Sequence, residues 1–256
     1  MLFVNVPIGA FLIAGAVLYV HQTERLKGRF DVLGALLSMA GTVSLVYGFI
    51  YVAHDGWGNT ETFVVFTAAV VLLVEFVLFE AYGTSSPMMP MRIFENRNRA
   101  GTYLVMLVVG AAMFGMFFFI TFFIQGVREF SALRTGFAFL PLALVIGITS
   151  QVVARLLPRL GPKPLIVTGT AVMAVAMLWL STVKVTSSYP GTILPGLLVM
   201  GLALGLLFVP LTATAVSMIA DIDAGLASAL LNVSQQVGGA IGRSVLSTVP
   251  TTSAKN

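Results

Sequence analysis

Runs of about twenty apolar residues follow one another through this chain, and they constrain its fold more than any other feature. A helix needs about 20 mostly apolar residues to cross the hydrocarbon core of a bilayer. Eight runs meet this requirement or come close to it, at residues 3–20, 30–52, 62–79, 102–124, 136–157, 165–183, 192–218 and 224–249. The sequence therefore predicts an all-α integral membrane protein with about eight transmembrane helices.

The lysines and arginines fall mainly into alternate loops. Nine follow the first, third and fifth runs: Arg25, Lys27, Arg29, Arg92, Arg97, Arg99, Arg155, Arg159 and Lys163. Four lie on the opposite side, at Arg128, Arg134, Lys184 and Lys255, and Arg243 falls inside the eighth run. Because cytoplasmic loops are enriched in lysine and arginine, the nine mark the cytoplasmic face and put both chain ends outside. A first residue outside, with no signal peptide before it, leads us to expect further spans upstream.

The third basic loop, at residues 155–164, has the sequence RLLPRLGPKP. Proline blocks the continuation of a helix and glycine permits a left-handed turn, so the segment predicts a tight connection between two spans. Its three cations cannot enter hydrocarbon, where each costs roughly 2.5–3.5 kcal/mol at a helix centre. The loop therefore fixes one side of the membrane.

Composition excludes several kinds of site. The chain has no cysteine, and its two histidines, His21 and His54, are dispersed, so the sequence predicts neither a disulfide nor a metal site and points to no cofactor. Only 9% of the residues are charged, against about 25% in soluble proteins. The formal charge of +4 comes from short basic loops rather than a basic helix face, which argues against a nucleic-acid partner. An integral membrane enzyme would need clustered His, Asp or Glu near one interface, and none is present.

Glycines recur at spacings that suit close helix packing. Three glycines repeat every seven residues in the second run, at Gly34, Gly41 and Gly48, and two small-xxx-small pairs occur, Gly201 with Gly205 and Gly238 with Gly242. Such residues let helix backbones approach closely in lipid, although each pair alone also fits ordinary glycine usage in membranes. Together they favour a compact bundle.

Polar residues form one stripe on the eighth run. Ser228, Asn232, Gln236, Gly239 and Arg243 follow one another at steps of three or four residues and so share a helix face. Polar groups inside a span face the bundle interior or a water-filled cavity. We expect this stripe to line a substrate pathway, with hydrogen bonding between helices as the alternative.

Two further residues are candidates for function. Glu75 is the acid well inside a span, where a carboxylate could relay protons or extend to the interface. Gln125 could hydrogen-bond a substrate or cap a helix end. We expect Asp31 and Glu80, near span ends, to be solvated or to cap helices. The phenylalanines at 117–119, 122 and 123 are expected to face lipid, with an aromatic binding wall as the alternative.

Five stretches of the chain resemble one known family. They are FVNVPIGAFL (3–12), FDVLGALLSMAGTVSLVYG (30–48), PMMPMRIFENRNRAG (87–101), FFIQGVREFSALRTGFAFLPLAL (122–144) and GLASALLNVSQQVGGAIG (225–242). The fourth resembles the pattern Y-x-Q-x-x-x-G-x-S-x-L-x-A-G-x-x-x-L-P through Gln125, Ser131, Leu133, Gly136, Leu140 and Pro141. In order and spacing the stretches resemble the fourteen-span drug:proton antiporter (EmrB/QacA-like) branch of the major facilitator superfamily.

The resemblance implies a partial major facilitator-type helical bundle containing spans six to thirteen. It implies three parts: the sixth span at residues 1–20, two central accessory helices at 21–86, and a C-terminal six-helix half lacking its last helix at 87–256. The basic loop is similar to the cytoplasmic gating-loop signature L-A-D-R-x-G-x-R through Leu156, Arg159, Gly161 and Lys163. Pro158 stands where the signature has its acid, which puts the latch formed by that acid in doubt.

The function implied by the resemblance is multidrug or small-molecule efflux by proton antiport from a multi-pass position in the plasma membrane. The expected partners are the lipid bilayer, protons, hydrophobic or cationic small molecules, and the missing N-terminal half. Because transport needs two repeats that rock against each other, we expect this fragment to be inactive alone. The alternative is a non-transporting membrane subunit or assembly partner, which would form a stable complex with another chain.

Overall fold

The computed structural model describes residues 5–19, 31–55, 58–84, 87, 89, 92–217, 219 and 221–253, and every regular element among them is helical. The helices are α1 (Asn5–Tyr19), α2 (Val32–Asp55), α3 (Thr60–Leu78), α4 (Arg92–Glu95), α5 (Arg97–Phe122), α6 (Ala132–Leu160), α7 (Pro162–Ser181), α8 (Leu194–Ala215) and α9 (Asp221–Ser253). Single π-helical turns extend α3 and α5, at Phe79–Gly83 and Phe123–Val127, and another, Tyr189–Ile193, leads into α8. The prediction of an all-α fold is confirmed.

The chain divides into two compact units, Met1–Phe30 and Asp31–Asn256. The first unit contains α1, an apolar helix of 15 residues. The second unit contains the remaining helices. The basic residues of the first predicted loop, Arg25, Lys27 and Arg29, lie outside the described residues, as does His21.

Six helical segments are long and apolar enough to cross a membrane. They are Val32–Val52, Thr60–Gly83, Arg97–Val127, Ala132–Leu160, Pro162–Ser181 and Tyr189–Ala215, and they correspond to the second through seventh predicted spans. Among the described residues, the helices α1 and α9 are not in this set. The 33 residues of α9 exceed the length required, but its polar stripe lowers its hydropathy.

The fifth predicted span, residues 136–157, corresponds to α6 to within four residues at each end. Helix α6 begins at Ala132, continues through Pro158 and ends at Leu160, so that the connection to α7 is the single residue Gly161. At 29 residues α6 is about 43 Å long, well beyond the hydrocarbon thickness of about 30 Å. Because Arg155 and Arg159 cannot enter hydrocarbon, we expect its last turn to lie in water, which can hydrogen-bond to the carbonyl that Pro158, having no N–H, leaves without its helical partner.

Helices α2 and α3 form an antiparallel pair whose contact follows the predicted glycine face. A Cβ added at Gly41 would lie 2.8 Å from Cδ2 of Leu73, and one at Gly48 would lie 3.2 Å from the ring of Phe66. Each step of seven residues along α2 is matched by a step of seven back along α3. The prediction that this face packs against another helix is confirmed.

Two parallel pairs, α5 with α9 and α6 with α8, repeat one packing motif. In α8, Gly201 and Gly205 lie against the backbone carbonyls of Leu142 and Ile146 in α6. In α9, the corresponding pair, Gly238 and Gly242, lies against carbonyls of α5. Both small-xxx-small predictions are confirmed.

The core lies around α8, which packs against α6 on one side and antiparallel to α7 on the other. Leu197, Met200, Leu204, Leu207 and Leu211 of α8 are fully buried. Helix α2 also contacts α9, so the α2–α3 pair joins the remaining helices through α2. The parallel and antiparallel pairings match the alternating topology predicted from the loop charges.

Candidate functional site

The polar residues of α9 are satisfied mostly within α9 itself. The Ser228 hydroxyl donates to the carbonyl of Ala224 at 3.0 Å, and Asn232 Nδ2 donates to the carbonyl of Ser228 at 3.0 Å. Arg243 Nε donates to the carbonyl of Gly239 at 3.2 Å. These bonds run back one helical turn, so they leave the side chains on one face without linking helices.

The outward part of this face consists of Asn232, Gln236 and Arg243, which are all exposed. We call these three residues the α9 polar face. Within the spans of α2, α3, α6 and α7 the exposed large side chains are instead mostly apolar, for example Val70, Leu144 and Leu178, whereas Glu75 and Gln151 are exposed polar residues there. Since intramembrane polar groups face water or protein rather than lipid, the α9 polar face requires a polar neighbour.

The other side of α9 is held tightly against α5. A Cβ added at Gly238 or Gly242 would overlap the carbonyl oxygen of Leu107 or Ala111, and one at Gly110 would overlap the carbonyl of Gln235. Backbone contact of this kind allows Cα–H···O interactions between the helices. It fixes the rotation of α9, and so fixes the direction of the α9 polar face.

Arg243 is anchored by an aromatic ring. Its guanidinium carbon lies 5.3 Å from the centroid of the Phe114 ring in α5, within the range of a cation–π interaction. Gly239, one turn earlier, makes room for the same ring. The sequence drew attention to Arg243 but gave no sign of this partner, because the contact depends on the register of α5 against α9.

Gln125 lies in the π-helical turn that ends α5 and is exposed. It is eleven residues beyond Phe114, which places it about 16 Å farther along the helix axis. The structure therefore does not bring Gln125 together with the described residues of the α9 polar face.

The gating-loop-like residues surround a one-residue turn. Gly161 has φ of 75°, the left-handed conformation that favours glycine, and its N–H donates to the carbonyl of Leu157 at 2.9 Å. Leu156 is half-buried, whereas Arg159 and Lys163 are exposed. Lys163 lines a cavity that α7 shares with α5 and α8.

Two carboxylates near the C-terminal end of α3 lie in different environments, contrary to expectation. Glu75 is exposed, whereas Glu80 in the following π-helical turn is 3% exposed. Glu80 Oε2 accepts a hydrogen bond from Met89 N at 2.8 Å, while Oε1 has no hydrogen-bond partner in the part of the chain that the structure describes. The expectation that Glu80 is solvated or caps a helix is wrong, because α2 covers it at Gly34 and its hydrogen-bond donor, Met89 N, lies outside the helices.

Asp31 caps α2 as expected. Its Oδ1 accepts from Gly34 N at 2.8 Å, and its carbonyl accepts from Ala35 N. Its Oδ2 is buried and has no hydrogen-bond partner within the described ranges. Two carboxylates thus meet over Gly34, a feature that the sequence could not reveal because Asp31 and Glu80 are distant along the chain.

The phenylalanine cluster is divided between two environments. Phe118, Phe119 and Phe122 are exposed and suited to lipid, as expected. Phe123 is buried, and Phe117 packs against Phe139 of α6 with ring centroids 5.0 Å apart.

Comparison with known proteins decides the family. A family model described as "Major Facilitator Superfamily" matches residues 2–242, nearly the whole chain. The chain belongs to the Major Facilitator Superfamily. Its helical bundle, the glycine-mediated pairs and the basic loops are therefore features of a facilitator that crosses the cell membrane several times.

This facilitator is similar to bacterial resistance and export proteins. It is 35% identical over 254 residues to the puromycin resistance protein pur8 of Streptomyces alboniger, covering 98% of this chain and 50% of that protein. It is 35% identical over 253 residues to the cephamycin export protein CmcT of Amycolatopsis lactamdurans, covering 97% and 52% respectively. It is 32% identical over 246 residues to the tetracenomycin C resistance and export protein of Streptomyces glaucescens, covering 95% and 45%. The chain spans about half the length of these relatives.

The facilitator also has a cavity of about 620 Å³ at the N-terminal ends of α6 and α8, on the outer side by the charge rule. The Arg134 guanidinium lies 3.8 Å from the centroid of the Phe130 ring, and the Tyr189 hydroxyl donates to the carbonyl of Ala138 at 2.6 Å. Arg128 Nη2 donates to the carbonyls of Thr186 and Ser187, which ties two outer loops together. From the sequence, Arg128 and Arg134 contributed only to the count of loop charges, so this cavity was not predicted.

Proposed function

We propose that this chain is the C-terminal part of a fourteen-span efflux transporter that exports small hydrophobic or cationic molecules in exchange for protons. Its similarity to resistance and export proteins supports efflux as the activity. No covalent bond is made or broken in such transport, so the chain is proposed as a transporter and not an enzyme.

The α9 polar face is the observation that carries this proposal. Asn232, Gln236 and Arg243 lie exposed on a helix whose neighbours expose apolar side chains to lipid. Secondary transporters bind substrate near the bilayer midplane where two structural repeats meet. A polar face on one bundle, opposed by the face of a second bundle, would form the walls of such a pathway.

Transport in this fold requires two halves. Alternating access moves one bundle against another around a fixed site, and the described residues contain one bundle with its accessory helices α2 and α3. We therefore propose that the chain transports only together with the corresponding N-terminal half, whether that half belongs to the same polypeptide or to another.

The proton pathway is a further part of the proposal. Glu75 projects from α3 as an exposed carboxylate in a predicted span, where exposure to lipid would be costly. Contact with a proton-conducting water chain or with the second bundle would account for a carboxylate at this position. Glu75→Gln would then abolish proton-driven export while leaving folding intact.

A chimera tests the transport proposal. The chain would replace the matching half of the Streptomyces alboniger puromycin resistance protein, and puromycin accumulation would be measured in cells with and without a proton ionophore. We expect ionophore-sensitive export that is lost with Asn232→Leu or Gln236→Leu.

The matched control is Thr168→Leu, which also replaces an exposed polar residue, on α7, whose hydroxyl bonds to its own helix. Export by this chain alone would refute the need for a second half. Equal export by all variants would refute the α9 polar face as the substrate pathway. A chimera that is present in the membrane but exports nothing would refute transport and favour a non-transporting subunit.

A further inference from the structure

A cavity of about 460 Å³ lies at the cytoplasmic ends of α5, α7 and α8. It is polar at its outer rim and apolar along its walls, and no part of the proposed substrate pathway lies in it. We propose that this cavity binds the phosphate head group of an anionic phospholipid from the cytoplasmic leaflet. The proposal stands whether or not the chain takes part in transport.

The rim carries positive charge without a compensating acid among the described lining residues. Arg97 comes from the first turn of α5 and Lys163 from the first turn of α7. Both side chains are exposed, and neither makes a hydrogen bond or ion pair within the described part of the chain. Asn96 and Asn98 add amide groups beside them.

A buried arginine lies next to the rim of the cavity. Arg99, which is 6% exposed, donates from Nη1 to the carbonyl of Ile93 and from Nη2 to the carbonyl of Ser217, each at 3.2 Å. Ser217 itself lines the cavity. The N-terminal ends of α5 and α7 also converge here, and their dipoles add partial positive charge.

The walls below the rim are apolar. Val105, Ile166, Val167 and Leu211 line the deeper part of the cavity. Val105 follows Arg97 by eight residues, which is about 12 Å along α5. A ligand that fits both parts carries an anionic group and, about a nanometre away, hydrocarbon.

This amphipathic lining favours a lipid over a free anion. A dissolved phosphate could pair with Arg97 and Lys163 but would leave the apolar walls unfilled. Basic pockets between transmembrane helices on the cytoplasmic side are suited to anionic head groups, and that leaflet supplies them. The lipid phosphate would give Lys163 a partner of opposite charge. This chain does not supply one at the acid position of the gating-loop signature, where it has Pro158.

The test measures lipid binding to the purified full chain in detergent by native mass spectrometry, with dioleoyl-phosphatidylglycerol and dioleoyl-phosphatidylcholine as probes. We expect tighter binding of phosphatidylglycerol, weakened about five-fold by either Arg97→Gln or Lys163→Gln. Arg155→Gln is the matched control, because it removes one exposed cation from the same face without touching the cavity. Equal weakening by all three substitutions would overturn the proposal.

A second variant fills the cavity and keeps the positive charges of its rim. Gly101 lines the cavity, and a Cβ added there would meet no atom within 4 Å. Gly101→Leu should therefore fold, since leucine also favours a helix more than glycine does. Loss of phosphatidylglycerol binding in Gly101→Leu, with all rim charges kept, supports a site inside the cavity, and unchanged binding overturns it.

Two further experiments distinguish a bound lipid from a free anion and from coverage of the cavity by protein. Inorganic phosphate that displaces phosphatidylglycerol stoichiometrically at millimolar concentration would show a free-anion site and overturn the lipid assignment. Loss of phosphatidylglycerol from the wild-type cavity on assembly with the N-terminal half would show that protein covers the groove, and would overturn it too. Retention of the lipid in both arms supports the proposal.

Discussion

Gly238 of α9 lies so close to Leu107 of α5 that a single added methyl group would overlap the Leu107 carbonyl oxygen. The contact repeats one turn later between Gly242 and Ala111 and is reciprocated by Gly110 against Gln235. Backbone therefore meets backbone along this seam. Any side chain at these positions must push the helices apart or turn α9.

We predict that Gly238→Ala destabilises the bundle. The overlap is with backbone, which cannot rotate away, so the cost should reach or exceed the about 1–3 kcal/mol typical of overpacked cores. Thermal unfolding in detergent, monitored by circular dichroism, measures it as a lower Tm.

Gly225→Ala is the control for this prediction. Gly225 lies near the start of the same helix, and an added Cβ would meet nothing within 4 Å. Alanine there should leave stability unchanged or raise it by up to about 1 kcal/mol through helix propensity. Equal effects of the two alanines would contradict the tight seam.

We predict that Glu129→Gly stabilises the loop between α5 and α6. Glu129 is the non-glycine residue with positive φ in the described part of the chain, at 54°. A left-handed conformation costs roughly 1–2 kcal/mol with a Cβ, and the family pattern quoted above has glycine at this position. Glu129→Ala removes the same charge but keeps the strain, so a rise in Tm for glycine and none for alanine is the expected result.

The helix pairing could be predicted from the sequence to a large extent. The seven-residue spacing of Gly34, Gly41 and Gly48 marks a contact face because only glycine leaves room for a neighbouring helix, and that requirement is local. The loop charges alone predicted which helices run parallel and which run antiparallel to each other. The partner of each helix, by contrast, depends on non-local packing and became known only from the structure.

The sequence was a weaker guide to the charged groups. It favoured Glu75 as the notable acid because position in a span suggests burial, yet the structure buries Glu80 instead. Burial of Glu80 results from α2, which approaches closely at Gly34, and no spacing within α3 carries that information. The end of α6 was also predicted only approximately, since the helix continues through Pro158 to Leu160, three residues beyond the predicted span.

We predict that Arg99→Met destabilises the cytoplasmic end of the bundle. The guanidinium joins α4 to the C-terminal end of α8 through the carbonyls of Ile93 and Ser217. Methionine keeps the apolar stem but leaves both acceptors without this donor, at a cost of about 1–3 kcal/mol each where they stay dry. Arg97→Met, two residues earlier and exposed, should change stability by less than about 0.5 kcal/mol in detergent without anionic lipid.

The last prediction concerns the two carboxylates over Gly34. Glu80 Oε1 and Asp31 Oδ2 lie 2.6 Å and 2.9 Å from the same point, the place where a Cβ of Gly34 would stand. Neither oxygen has a hydrogen-bond partner among the described residues. Glu80→Gln would keep an oxygen to accept from Met89 N and would add an amide that can donate toward Asp31.

We therefore expect Glu80→Gln to leave the Tm unchanged or raise it, with a gain of about 0.5–1.5 kcal/mol for a new hydrogen bond. Glu80→Ala should lower stability by about 1–3 kcal/mol, because Met89 N then loses its acceptor in a buried site. Glu75→Gln, on the exposed side of the same helix, serves as the control and should be neutral in unfolding experiments. A Glu80→Gln variant as unstable as Glu80→Ala would mean that the negative charge itself, and not the geometry of its hydrogen bond, holds α2 and α3 together.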